Sequence, residues 1–335
     1  MSKNNAITIG GTVVKPGDRA SISLPVVDLY TGTSLSMPVK VVSGRRSGPV
    51  LLVSAAIHGD ELNGVEIIRR LLKRKLLRSI RGTLIAVPVV NVHGFLDQSR
   101  YLPDRRDLNR SFPGSPTGSI AARMAHIFVT EILDKADCGI DLHTGALNRS
   151  NLPQIRGNLD DAKTLELARA FGTPVIVDST IRDGSLRECA VERGLPILVY
   201  EAGEALRFDE VSIRGGIRGI IKVMRHLGML PPAKKAKSIV PVLAESTSWV
   251  RAPASGIVAR KVQLGARVVE GERLATIGDP LGEAETTVAA PFDGIVIGRS
   301  MLPLAHEGDA LFNVAAFKSV SRAEGKVEEF TAHHA

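Results

Sequence analysis

The sequence predicts an α/β protein, a mixed sheet sandwiched by helices, with a small C-terminal all-β, barrel-like domain. Three observations predict it. Apolar runs of strand length alternate with helical patterns as far as about residue 230. A Pro- and Lys-rich stretch then breaks the alternation. Beyond it the chain is Gly-rich and repeats itself: Ala252-Pro253-Ala254-Ser255-Gly256-Ile257-Val258 returns 38 residues later as Ala290-Pro291-Phe292-Asp293-Gly294-Ile295-Val296.

The elements follow in order. Residues 21–43 alternate polar and apolar side chains and read as a hairpin. Pro49 to Ile57 is continuously apolar apart from Ser54, which fits a strand buried on both faces. His58-Gly59-Asp60-Glu61 follows at once, and Leu62 to Leu77 carries a helical pattern. Leu84 to Val90 is a second buried strand. Ile120 to Leu133 reads as a helix with Ser119 as its N-cap. Cys138 to Leu142 is a strand ending at His143. Ala162 to Phe171 is a helix closed by Gly172. Val175 to Val177 and Leu195 to Tyr200 are strands, the latter ending at Glu201. Val211 to Leu227 is a helix closed by Gly228. The expected domains are therefore 1–230 (α/β), 231–237 (linker), 238–317 (β-barrel or sandwich) and 318–335 (a polar, frayed tail).

The length of 335 residues suits one large domain with a smaller module. No apolar run is long enough to span a bilayer, and the first residues lack a secretory signal, so a cytoplasmic protein with no membrane partner is expected. Cys138 and Cys189 are read as reduced, buried side chains. The net charge is +8, and seven basic residues lie between Arg69 and Arg81. Without interleaved aromatics this run reads as a solvated helix face, and nucleic acid is not an expected partner. The charge instead suits a small anionic substrate.

His58 and Glu61 form an H-x-x-E pair where a buried strand gives way to a helix, the end of an α/β sheet at which ligands bind. His143 also follows a buried strand. His, Glu and His are three ligands of the type a catalytic zinc uses, with the fourth position left to water. Glu201 ends a further strand and is a carboxylate of the kind that takes a proton from such a water. Glu204 lies farther from the strand end and reads as a surface charge. Arg100 to Gly114 is a long polar loop whose guanidinium groups suit a carboxylate or an oxyanion, or a solvated surface.

These motifs resemble the succinylglutamate desuccinylase/aspartoacylase family, a branch of the zinc-carboxypeptidase-like fold. The resemblance rests on His58 to Gly64, Asn91-Val92-His93-Gly94, Asp107 to Gly114, Asp141-Leu142-His143-Thr144-Gly145 and Glu201-Ala202-Gly203, in family order. It implies one zinc ion per chain held by His58, Glu61 and His143, with Glu201 as general base. It implies that Asn109 and Arg110 hold the substrate carboxylate and that Arg100 polarises the scissile carbonyl, with Arg105 as an alternative. Asn91 and Asp141 look structural, Asp141 orienting a ligand. Residues 238–317 would narrow the entrance to the site. Their repeat looks like a biotinyl/lipoyl-type barrel, yet its midpoint lacks a Lys flanked by Met, so no covalent biotin or lipoate is expected.

The activity so implied is hydrolysis of the amide bond of an N-acyl amino acid. The alternatives are a metallocarboxypeptidase acting on short peptides and a non-catalytic metal- or ligand-binding protein. A homodimer is the base-rate expectation. His93 could lie near the site. His126, His226, His306 and the His333-His334 pair show no partner pattern, and Trp249 is a core or interface side chain.

Overall fold

The computed structural model describes residues 4–233, 240–259 and 261–335. A short hairpin, β1 (Ile7–Ile9) and β2 (Thr12–Val14), precedes a long one, β3 (Arg19–Asp28) and β4 (Ser34–Ser43). Next come β5 (Arg46–Ala55), α1 (Leu62–Leu72), β6 (Arg81–Val87), α2 (Val92–Leu96), α3 (Ile120–Glu131), β7 (Cys138–Gly145) and β8 (Arg149–Gly157). They are followed by α4 (Ala162–Phe171), β9 (Val175–Asp178), α5 (Leu186–Glu192), β10 (Ile197–Glu204) and α6 (Glu210–His226). The remainder is β11 (Val242–Ala244), β12 (Ser246–Arg251), β13 (Gly256–Ala259), β14 (Arg267–Val268), β15 (Arg273–Gly278) and β16 (Glu285–Ala289), then β17 (Gly294–Ser300), β18 (Leu304–Ala305), β19 (Ala310–Ala316) and α7 (Val320–His334).

One mixed sheet organises the molecule, in the order β12-β19-β17-β8-β10-β7-β5-β6-β4-β3. Its centre, β10-β7-β5-β6, is parallel, so the carboxyl ends of four strands share one edge. The sheet divides the core in two because successive strand residues face opposite ways. Along β5, Leu52 joins the core that contains Met124 and Phe128 of α3 and Leu186 and Cys189 of α5. Its neighbours Leu51 and Val53 join the core built with Ile67 and Leu71 of α1, Phe171 of α4 and Ile217 and Ile220 of α6. Gly64 lets α1 lie close to the sheet, for a Cβ there would come within 2.7 Å of Ala55 Cβ and 2.8 Å of Leu142 Cβ.

Local chemistry explains the helix ends. Ser119 accepts from Ala122 N, and Asp161 and Asp209 cap α4 and α6 in the same way. Gly172 closes α4 in the left-handed conformation, φ 78°. The helix expected to run to Leu77 stops at Leu72, and Lys75–Ser79 forms a separate 3-10 turn.

The C-terminal part adds two features that the sequence did not suggest. Its strands enclose a core of their own, with Val258, Leu274, Ile277, Val296 and Val314 buried together, but they are also joined edge-on to the α/β sheet. β17 pairs antiparallel with β8, and β19 and β12 continue the same sheet outward. Only β16-β15-β13-β18 make a separate, four-stranded sheet. The tail is no frayed segment: Val320–His334 is a helix capped by Ser319 and lying on α6. Its apolar stripe is narrow, with Ala323, Val327, Phe330 and His334 buried, which explains its polar look in sequence. Of the expected linker, residues 234–237 lie outside the described residues. Among the described residues no helix is long and apolar enough to cross a membrane.

Candidate active site

The site forms where β5, β7 and β10 end. Past Ala55 the chain turns through Ala56 (φ 52°) and delivers His58. The turn is clamped from the segment between β6 and α2: Val90 N donates to Ala55 O and Asn91 N to Ala56 O. Asn91 Oδ1 accepts from Gly94 N at 2.8 Å, which closes the turn into α2. Gly59 packs directly on that turn, and a Cβ there would lie 1.9 Å from Gly94 C. The His58-Gly59 and Asn91-to-Gly94 motifs are thus two halves of one backbone contact.

Glu61 occupies the N-cap position of α1 but makes no side-chain cap. Its carboxylate turns toward the two imidazoles instead. His58 Nδ1 lies 2.7 Å from Oε1 and His143 Nδ1 lies 2.8 Å from Oε2. Thr144 N also donates to Oε2, at 3.2 Å. The other nitrogen of each ring meets a second carboxylate. His143 Nε2 is 2.6 Å from Asp141 Oδ2, and His58 Nε2 is 3.2 Å from Asp107 Oδ1. Asp141 is itself held by Ser54 Oγ at 2.8 Å.

His58, Glu61 and His143 offer one donor atom each, all within 4.8 Å of one another, and all three side chains are buried. The charge balance favours a cation among them. Glu61, Asp107 and Asp141 carry three negative charges and Arg100, which touches Glu61 and Asp107, carries one positive charge; with neutral imidazoles the sum is −2. Burial opposes a charge on either imidazole, yet Asp141 and Glu61 hold His143 well above its ordinary pKa, and Glu61 and Asp107 raise His58. Burial likewise opposes a charged Glu61, and the two imidazoles outweigh it and hold that carboxyl well below the usual range. A field that draws protons onto two buried imidazoles also draws a divalent ion, which binds by displacing them. The donor set therefore could hold a divalent metal ion, with a carboxylate behind each histidine to fix ring orientation.

Glu201 is placed by strand register. In the parallel ladder of β10 and β7, Glu201 pairs with His143. Asn151 of β8, on the other side of β10, donates to Glu201 Oε2 at 2.9 Å. Arg100 faces the histidine cluster, with Nη1 3.5 Å from Glu61 Oε1 and Nη2 3.1 Å from Asp107 Oδ2. Arg105 is exposed and lies outside the lining of the cleft. Asn109 Oδ1 accepts from Leu186 N at 2.9 Å, tying the Asp107-to-Gly114 loop to the start of α5, and Arg110 donates to Asn109 O at 2.5 Å.

All seven expected site residues line one cleft of about 660 Å³, a size suited to a small molecule. Its wall adds residues that the sequence did not mark. Arg149 lies 5.3 Å from the ring centre of Trp249, which reaches the cleft from β12. Arg187 of α5 is buried, donates to Ser179 Oγ and Thr180 O, and lies near Arg156 and Arg182. Asp107 stood inside a quoted motif, but its hydrogen bond to His58 had no signal of its own. Asn151 sits on β8, a strand too polar to be read in advance. His93 does not line the cleft.

Comparisons with known proteins agree with this architecture. The family model of the succinylglutamate desuccinylase/aspartoacylase catalytic domain matches residues 47–227. The N-alpha-acetyl-L-2,4-diaminobutyric acid deacetylase of Halomonas elongata is 29% identical over 295 residues, covering 84% of this chain and 86% of that protein. A succinylglutamate desuccinylase/aspartoacylase crystal structure from Rhodobacter sphaeroides superposes with a TM-score of 0.79 at 28% identity, covering 89% of this chain and 96% of that one. The product-bound ectoine utilization protein EutE (DoeB) of Ruegeria pomeroyi gives a TM-score of 0.82 at 26% identity, over 93% and 99% of the two chains. The mixed sheet with its helices is the fold of these structures, and the chain belongs to the succinylglutamate desuccinylase/aspartoacylase family.

Proposed function

We propose that the protein is a zinc-dependent deacylase that hydrolyses the amide bond of an N-acyl amino acid. The observation that carries this reading is the convergence of His58, Glu61 and His143 beside Glu201 in a cleft lined by arginines. The deacetylase activity named for the Halomonas elongata relative supports amide hydrolysis on a small acylated amino acid.

His58, Glu61 and His143 would hold a divalent ion, which would supply Lewis acidity and make water more acidic. Asp107 and Asp141 bind the opposite ring nitrogens and so would keep the two Nδ1 atoms, which face Glu61, free to ligate. Arg100 donates to the substrate carbonyl oxygen and stabilises the charge that grows there. Glu201 removes a proton from the attacking water as the new C–O bond forms, then gives a proton to the nitrogen as the C–N bond breaks. Asn151 keeps the Glu201 carboxylate oriented. Arg110, with Asn109 bracing its loop, holds the carboxylate of the amino acid.

Glu201→Ala tests the assignment. Hydrolysis of N-acyl amino acids should fall by well over tenfold while bound metal stays at one equivalent. Activity within tenfold of the parent, with the metal retained, contradicts it.

A further inference from the structure

A second cavity, of about 820 Å³, lies at the opposite edge of the sheet and shares no lining residue with the cleft. Arg46 and Arg81 begin β5 and β6, whereas His58 follows the far end of β5. At about 3.3 Å per residue, the strand separates the two sites by roughly 30 Å. Among the described residues the cavity wall carries Arg19, Arg45, Arg46, Arg78, Arg81 and Arg225, and no acidic side chain.

These arginines are a distinct population. In the basic run between residues 69 and 81, Arg69 and Arg70 are neutralised by Glu66 and Glu210. Arg78 and Arg81 have no such partner, and among the described residues none of the six lies within 4.0 Å of a carboxylate. Arg225 of α6 is the clearest case: its Nε is buried and has no hydrogen-bond partner. A buried guanidinium nitrogen without an acceptor is costly, because its lost hydration is not replaced. Six guanidinium groups around one cavity also repel one another until an anion enters. The arrangement is thus an accessible concentration of positive charge, with five of its six arginines exposed and Arg225 half-buried.

We infer that this cavity binds a small polyanion carrying two or more phosphoryl groups. A single carboxylate would leave most of the six charges unanswered. Phosphoryl groups pack several charges and many acceptor oxygens into a small volume, and guanidinium groups bind them bidentately. Nucleic acid fits less well: the arginines converge on a cavity rather than along a stripe, and no aromatic side chain lines it for base stacking.

Isothermal titration of the full-length protein with inorganic tripolyphosphate tests the inference, with orthophosphate and a DNA duplex titrated in parallel. Tripolyphosphate should bind with 1:1 stoichiometry, at least tenfold tighter than orthophosphate or, per site, the duplex. R45Q/R78Q changes two exposed side chains and R225Q removes the unpartnered one. Each variant should weaken tripolyphosphate at least tenfold while amide hydrolysis measured without polyanion stays within twofold. Equal affinity for orthophosphate, tighter binding of the duplex, or binding undiminished in both variants overturns the inference. The last result would place the polyanion at the arginines or metal of the catalytic cleft.

Discussion

Glu201 and His143 occupy paired positions on adjacent parallel strands, β10 and β7, so the candidate base and a candidate ligand share one register. On the other side of β10, Asn151 reaches back to Glu201 Oε2. Asn151→Ala removes the donor without removing the base. We expect kcat to fall by about tenfold with KM within twofold, the signature of an interaction that matters in the transition state. Steady-state kinetics on the N-acyl amino acid substrate check it, and an unchanged kcat contradicts the positioning role.

Asp141 lies 2.6 Å from His143 Nε2, on the side of the ring away from Glu61. Asp141→Asn keeps the shape but weakens the acceptor. Zinc affinity should fall by about 10- to 100-fold. Competition with a chromophoric chelator reads this directly, and unchanged affinity excludes the role.

Gly59 permits the contact between the His58 turn and the Asn91 turn, where a Cβ would sit 1.9 Å from Gly94 C. Neither backbone can retreat without disturbing the site. Gly59→Ala should cost about 2 kcal/mol or more in urea denaturation and should lower metal occupancy as well. Parent-like stability would show that the two turns can part.

The C-terminal helix α7 should report acid. Burial pushes the His334 imidazole down to about 4 from an ordinary 6.5, while its Nδ1 donates to Phe330 O at 2.7 Å. The folded state therefore resists a proton that the unfolded state accepts. This contribution to stability is complete above pH 6.5 and declines as pH falls toward 4. Arg218 and Lys222 of α6 and His333 face the same ring and add to the repulsion once it is charged. Protection factors across residues 320–334, taken relative to the intrinsic exchange rate at each pH, should fall between pH 7 and pH 4.5, and His334→Gln should flatten that dependence. Protection that is independent of pH contradicts it.

Much of the catalytic half was legible in the sequence because its central strands are buried on both faces. A run such as Leu51 to Ala55 has one structural solution, and each such run ends at a chemically distinctive residue: His58, His143 or Glu201. β8 was not legible. Arg149–Gly157 is polar because its residues meet the cleft and the C-terminal strands, so neither alternation nor an apolar run marks it. The pairing of β17 with β8 joins residues about 150 positions apart, such as Gly298 with Asn151, and no local pattern encodes it. The α7 helix was misread because its buried stripe is four residues wide at helical spacing within a polar segment. The carboxylates behind the histidines were hidden in the same way, since Asp107 reaches His58 across 49 positions.

The proposed deacylase requires a zinc ion held by His58, Glu61 and His143 through the two Nδ1 atoms and the Glu61 carboxylate. Anomalous diffraction at the zinc edge, on crystals of protein purified without chelator and supplied with zinc, tests this most directly. The account predicts a single strong peak among these three side chains, with His58 Nε2 still facing Asp107 and His143 Nε2 still facing Asp141. A peak elsewhere, or an ion bound through the Nε2 atoms, would contradict it.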